Sequence, residues 1–163
     1  MATRSAHLQI RVTSAEKESL KRLAQAAGQN LSGYVLARAL PPYRLRFEEI
    51  LRALGEEDDH RFALAELNDF LTPLAPVEFP QAVEHADVAR LTPFVKNYVA
   101  AMVEQAAHLK SLTPPPWARR VVPLESPHFV TALSSLRLHL LSASPVPFKR
   151  RNIFVDSSIG ARV

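Results

Sequence analysis

Apolar and polar side chains alternate strictly over residues 7–13. Alternation with a period of two places the apolar set on one face of an extended chain and the polar set on the other. The apolar face carries Leu8, Ile10 and Val12, and the polar face carries His7, Gln9, Arg11 and Thr13. The pattern therefore predicts a half-buried β-strand near the start of the chain.

Two short helices are predicted directly after this strand. Thr13 and Glu16 have the spacing of a capping box, in which each side chain satisfies a backbone N–H near the helix start. Leucines and alanines then recur at helical spacing as far as Gly28, a residue typical of a helix end. The second helix is predicted to have Ser32 as its N-cap and to end at Pro41-Pro42, because proline interrupts a helix.

The predicted strand has no partner strand within the first forty residues. A lone strand leaves its backbone N–H and C=O groups unpaired. Pairing with the same strand of a second copy satisfies these groups and gives an antiparallel two-stranded ribbon across a two-fold axis. We therefore expect a homodimer that forms through the strand.

The order of strand, helix, turn and helix resembles the ribbon-helix-helix superfamily of DNA-binding proteins, of the Arc, MetJ and CopG kind. The resemblance covers about residues 6–40 and rests on three stretches: LQIRVT, TSAEKESLKRLA and GQNLSGYVLARAL. The last stretch is similar to a segment common in antitoxin members of the superfamily. The sequence is therefore expected to begin with a ribbon-helix-helix unit.

The resemblance implies that the paired strands enter the major groove of double-stranded operator DNA and read base edges. The residues expected to read bases are His7, Gln9, Arg11 and Thr13, since arginine can bond guanine O6 and N7 together and glutamine can do the same to adenine N6 and N7. Phosphate is expected at the start of the second helix, at Ser32 and Gly33, with help from Arg4. A solvent-facing polar strand edge is the alternative interpretation.

Residues 43–112 show further helical periodicity. One amphipathic stretch ends at Gly55 and an acidic run, a second lies before a proline-rich loop at residues 73–80, and Thr92-Pro93 has the form of a strong helix start. An apolar stripe follows this start and consists of Val95, Val99, Met102, Ala106 and Leu109. Such a stripe indicates helix–helix packing, either in the core of one chain or along a seam with a partner.

The last fifty residues are punctuated by prolines. Pro114, Pro115 and Pro116 with Trp117 predict an extended linker, and Ser126-Pro127 predicts a helix that ends at Pro145 and Pro147. The tail combines a basic run with a strand-like run: Lys149, Arg150, Arg151, Ile153, Phe154 and Val155. This candidate partner-binding tail could add a strand to a partner's sheet or fold back on its own domain.

Charge is distributed unevenly along the chain. The net charge is +4 over residues 1–40, −6 over residues 41–92 and +6 over residues 93–163. A basic first segment suits a polyanionic partner. The absence of cysteine excludes disulfides and thiolate metal sites, and we find no signal peptide and no membrane-length apolar run, so a cytoplasmic protein is expected.

No catalytic constellation stands out in the sequence. The six histidines, at positions 7, 60, 85, 108, 128 and 139, lack metal-ligand spacing, and four glycines in the whole chain argue against a phosphate-binding glycine loop. We therefore expect no enzyme activity, no cofactor and no metal.

The sequence thus predicts a mainly α protein in three parts. Residues 1–42 form the ribbon-helix-helix domain for DNA binding and dimerisation, residues 43–144 form a helical, partner-binding domain, and residues 145–163 form the tail. The leading functional expectation is a transcriptional repressor that is the antitoxin of a toxin–antitoxin pair, with a toxin as its protein partner. The alternatives are an accessory DNA-binding protein in plasmid transfer or partition, and a ligand-sensing or enzymatic domain tethered to DNA.

Overall fold

A computed structural model describes residues 9–39, 42–56, 59–131 and 133–156. The chain divides into two compact units, Met1–Leu40 and Pro41–Val163, which we call the head and the body. Helices hold 62% of the described residues, so the prediction of a mainly α protein is confirmed. The segment predicted as a separate tail belongs, in its described part, to the body.

The head contains two helices, α1 (Ser14–Ala26) and α2 (Leu31–Ala39), which pack against each other. The turn between them passes through Gly28, whose φ of 65° lies in the left-handed region that favours glycine at a helix end. The predicted strand is not shown: residues 9–13 carry no regular secondary structure, and residues 1–8 lie outside the described part. A strand is defined by pairing, and no described segment of this chain pairs with residues 9–13.

The body is built around one long helix. Its helices are α3 (Pro42–Glu56), α4 (Arg61–Leu71), α5 (Phe79–Val83), α6 (Pro93–Leu109), α7 (Pro116–Arg120), α8 (Arg137–Ala143) and α9 (Val146–Lys149), and a 3-10 helix (Ser134–Leu136) precedes α8. Most of α6 is buried because α4, α7 and α9 pack around it. The predicted helices at residues 47–54, 62–71 and from Thr92-Pro93 are confirmed, and Gly55 lies inside α3 rather than ending it.

The apolar stripe of α6 packs mainly inside its own chain. Val95, Val99 and Met102 belong to the core, and Ala106 packs against it. Leu109, the last residue of the stripe, is exposed. Core packing, one of the two interpretations of this stripe, therefore accounts for all of it except its last residue.

The prediction of an extended linker around Trp117 is wrong. Trp117 lies in α7, packs against the core, and donates a hydrogen bond from Nε1 to the carbonyl oxygen of Val83 at 2.8 Å. Its ring also lies 6.4 Å from that of Phe47, centroid to centroid. An indole that packs in an apolar environment and bonds a buried acceptor holds its segment in place. The prolines before Trp117 therefore lead into α7 instead of separating two domains.

The prediction of a helix from Ser126-Pro127 is also wrong. The chain there forms strand β1 (His128–Phe129), which pairs in parallel with β2 (Ile153–Phe154), and helical structure begins only at Ser134. The strand prediction for the tail is confirmed at Ile153 and Phe154. Pairing between residues so distant in sequence supplies the hydrogen bonds that a local helix would otherwise make.

Four of the six residues predicted to form a partner-binding tail are buried in the body itself. Ile153 and Val155 are fully buried in the core, Phe154 is 8% exposed, and Arg151 is 4% exposed. As far as residue 156 the tail therefore folds back on its own domain, the second of the two alternatives raised by its sequence. Only Lys149 and Arg150 of the basic run remain at the surface, and the Lys149 ammonium donates to the carbonyl of Ser142 at 3.1 Å.

Arg151 forms the central polar contact of the body. Its guanidinium meets Glu104 of α6 in a two-pronged ion pair, with nitrogen–oxygen distances of 2.8 and 2.9 Å. It also donates to the backbone carbonyls of Pro147, at 3.1 Å, and Ala118, at 2.7 Å. One side chain thereby joins α6, α7 and α9.

Candidate nucleic-acid interface

The residues predicted to read DNA bases lie directly before α1. Gln9, Arg11 and Thr13 are exposed, whereas His7 and Arg4 lie outside the described residues. The two described apolar residues of the predicted strand are also exposed in the single chain, Ile10 at 59% and Val12 at 45%. Within the described residues, the polar side chains predicted to read bases are thus accessible, and so are the apolar side chains that were predicted to be buried.

Thr13 forms the predicted capping box with Glu16. The Thr13 hydroxyl oxygen accepts from the Glu16 N–H at 3.3 Å, while the Thr13 N–H and hydroxyl both donate to a Glu16 carboxylate oxygen at 2.8 Å. These hydrogen bonds lower the pKa of Glu16, with the bond from the Thr13 backbone as the largest cause. The cap sets the point where the extended segment ends, and it occupies the Thr13 side chain in the absence of DNA.

The start of α2 differs from the prediction. The helix begins at Leu31, and the side chain of Asn30, not Ser32, caps it by accepting from the Gly33 N–H at 2.7 Å. Ser32 therefore sits in the first turn, and the Gly33 N–H already has an acceptor. A phosphate at this helix start would bond first to the N–H groups of Leu31 and Ser32, because the first N–H groups of a helix lack intrahelical acceptors.

Gly33 also lies close to this cap. A Cβ built on Gly33 would lie 3.1 Å from the Asn30 Oδ1 atom. A larger residue would therefore crowd the capping amide. The cap at Asn30 was missed from sequence, although asparagine is one of the residue types preferred at the N-cap.

The head has almost no core of its own. Among its described side chains only Ala24 is buried, at 2% exposure. An open apolar hollow of about 590 Å³ lies instead between the extended segment and the helices, and it is lined by Ile10, Val12, Leu20, Leu31 and Val35, with Lys17 and Arg11 also lining it. A unit of this size rarely buries enough surface to fold alone, and association with another chain is a common remedy.

The basic side chains of the head have mostly local contacts. Lys21 bonds Glu18 at 2.9 Å, Arg22 contacts the Ser19 hydroxyl at 3.3 Å, and the Arg38 guanidinium lies 5.5 Å from the centre of the Tyr34 ring. Contacts between exposed charges are weak in water. These cations are therefore available to a polyanion.

Neither a metal centre nor a membrane helix is present in the described ranges. No group of three or more histidine, aspartate or glutamate side chains there could hold a metal ion. None of the described helices is long and apolar enough to cross a bilayer.

Comparison with known proteins finds a similarity over the first part of the chain. Residues 2–56 match the model of a family described as NikA-like, mobilization protein NikA. The match extends beyond the head to include α3. It is compatible with the ribbon-helix-helix resemblance and does not single out antitoxins. No curated protein and no solved structure matches the chain.

Proposed function

We propose that the protein is a DNA-binding homodimer that serves as an accessory factor in plasmid mobilization. We infer the dimer from the exposed apolar face of the head. Ile10 and Val12 border an open hollow there, and among the head's described side chains only Ala24 is buried. A second head that pairs its strand with the first would cover this face. The two Gln9–Arg11 edges would then form one surface with two-fold symmetry.

The same surface suits the DNA major groove. Gln9 and Arg11 are exposed and alternate with Ile10, so a strand that buries Ile10 presents both polar side chains outward. Amide and guanidinium groups are the side chains that recognise adenine and guanine edges with two hydrogen bonds each. The start of α2, with the Leu31 and Ser32 N–H groups, supplies a phosphate anchor that positions the ribbon without selecting sequence.

The choice of plasmid mobilization rests on the family match over residues 2–56. In this role the protein would mark a DNA site in the cytoplasm, where plasmid DNA lies, and would itself perform no catalytic step. The same head would suit a transcriptional repressor or an antitoxin. That alternative would be favoured if this chain neutralised a toxin, or if it bound its own promoter more tightly than a transfer origin.

The DNA contact is tested by replacing Arg11 and Gln9 with alanine. Each substitution is expected to weaken binding to the cognate site by about 1–3 kcal/mol and to relax base preference at one position per half-site, because direct base contacts carry this energy. Binding should also weaken steeply with salt. Fluorescence anisotropy with transfer-origin, promoter and unrelated duplexes gives these values.

The matched control is Arg119→Ala, which removes an exposed arginine from the body. Base preference should be unchanged in this variant. If Arg11→Ala and Gln9→Ala bind every duplex as the parent protein does, the ribbon is not the DNA-reading surface.

A further inference from the structure

An open cleft lies in the body and is bordered by α4, the first half of α6 and β1. Its volume is about 580 Å³, and its lining includes His60 and Arg61 at the start of α4, Phe94 and Tyr98 on α6, and His128 on β1. Cavities between 300 and 1,000 Å³ with apolar walls and a few polar groups are the usual form of small-ligand sites. None of the residues expected to contact DNA lines this cleft.

Aromatic rings form one wall of the cleft. The centre of the Phe94 ring lies 4.2 Å from that of His128 and 5.7 Å from that of Tyr98. Tyr98 in turn meets Phe148 edge to face at 5.3 Å, which fixes it from the core side. Phe94 is half-buried and His128 is exposed, so ring surface remains accessible to a planar ligand.

Polar groups accompany the rings. The half-buried His60 imidazole lines the cleft, and because its Nδ1 atom is fully buried, only the rest of the ring can meet a ligand. The Tyr98 hydroxyl is protonated at neutral pH and can donate, and burial raises its pKa further, to about 12. Arg61, which chelates the Asp59 carboxylate at 2.6 and 2.9 Å, adds a guanidinium to the lining.

We propose that this cleft binds an unpaired nucleobase, with the base stacked on the Phe94 and His128 wall and its polar edge toward His60 and Arg61. Aromatic side chains stack on every base regardless of identity, and the donors and acceptors of a base edge suit the imidazole and guanidinium groups of the lining. An aliphatic ligand would use neither the ring stacking nor these polar groups. The base can come from a free nucleotide or from single-stranded DNA.

The test uses the full-length protein and fluorescein-labelled oligothymidylate. Phe94→Leu, which keeps an apolar side chain but removes the ring, is expected to weaken binding about tenfold, since one base–aromatic stack contributes this order of affinity. Phe62→Leu is the matched control, because Phe62 lies on α4, which borders the cleft, but is itself 79% exposed and does not line the cleft. Arg11→Ala should leave the contribution of Phe94 unchanged.

Two further measurements distinguish binding of the base from binding of the phosphate, and a free nucleotide from single-stranded DNA as the source of the base. An abasic oligomer of the same length should bind about as weakly to the parent protein as oligothymidylate binds to Phe94→Leu. Competition by free thymidine monophosphate would assign the site to nucleotides, and its absence would assign it to bases within a strand.

Equal binding of the abasic oligomer and oligothymidylate would overturn the proposal. Equal losses of affinity for oligothymidylate in Phe94→Leu and Phe62→Leu would also overturn it. If Trp117 fluorescence shows that Phe94→Leu is unfolded, His128→Ala replaces it, because that side chain is exposed, and a loss of about threefold is expected.

Discussion

Replacing Arg151 with alanine is expected to destabilise the body by about 3–5 kcal/mol, because the change leaves the Glu104 carboxylate buried without its counterion. Both side chains are nearly inaccessible, at 5% for Arg151 and 7% for Glu104. The substitution also removes the hydrogen bonds to the carbonyls of Pro147 and Ala118. Urea unfolding followed by Trp117 fluorescence measures the loss.

The exposed pair Arg44–Glu48 provides the control. Both side chains are 45% exposed, and Arg44→Ala should lower the free energy of unfolding by about 0.5 kcal/mol or less. The double variant Arg151→Met with Glu104→Leu should recover much of the stability lost in Arg151→Ala, since a buried ion pair is often replaceable by packed apolar residues. A loss in Arg151→Ala no larger than that in Arg44→Ala would show that the ion pair is not buried in solution.

Replacing Ile10 with aspartate is expected to raise the dissociation constant of the dimer by at least about a hundredfold. In the single chain Ile10 is 59% exposed, so a polar residue there would cost the monomer little. In a ribbon dimer the substitution occurs twice, and burial of each isoleucine contributes roughly 1.5–3 kcal/mol. Sedimentation equilibrium measures the change, and DNA binding should be lost in parallel.

Val77→Asp is the corresponding control in the body. Val77 is 75% exposed, and its replacement should leave the dimer and its DNA binding unchanged. If the dimers of Ile10→Asp and Val77→Asp had the same dissociation constant, the apolar face of the head would not be the dimer interface.

Local periodicity predicted the helices that have one buried face. Phe47, Ile50, Leu51 and Leu54 of α3 were predicted as one apolar face, and all four are buried. Thr13 and Thr92 were predicted as helix starts, and both accept a hydrogen bond from the N–H three residues on. These signals involve neighbours within a few turns, so they can be read from the sequence.

Long-range contacts were not predictable in the same way. Glu104 and Arg151 are 47 residues apart, and nothing in the basic run of the tail distinguishes Arg151 from Arg150, although only Arg151 is buried. The pairing of β1 with β2 likewise overrides a local pattern that favours a helix after Ser126. The aromatic wall of the cleft joins Phe94 to His128 across a similar distance in sequence.

In the head, sequence analysis predicted which side chains are exposed more accurately than it predicted which residue caps α2. Gln9 and Arg11 are exposed as predicted, but the cap of α2 falls on Asn30 instead of Ser32. Either residue is a favourable N-cap by type, and the choice depends on where the turn after Gly28 ends. The strand itself stays a prediction, since its pairing depends on a second chain.

The most direct test of the ribbon dimer is a distance between two spin labels on Gln9→Cys. The chain has no cysteine, so the label position is unique. Antiparallel strands that pair across a two-fold axis near Ile10 would bring the two labelled backbones within about 10 Å of each other, given the spacing and rise of paired strands. We expect strong dipolar broadening that disappears on dilution with excess unlabelled protein. A spectrum without short distances, identical before and after that dilution, would contradict strand pairing.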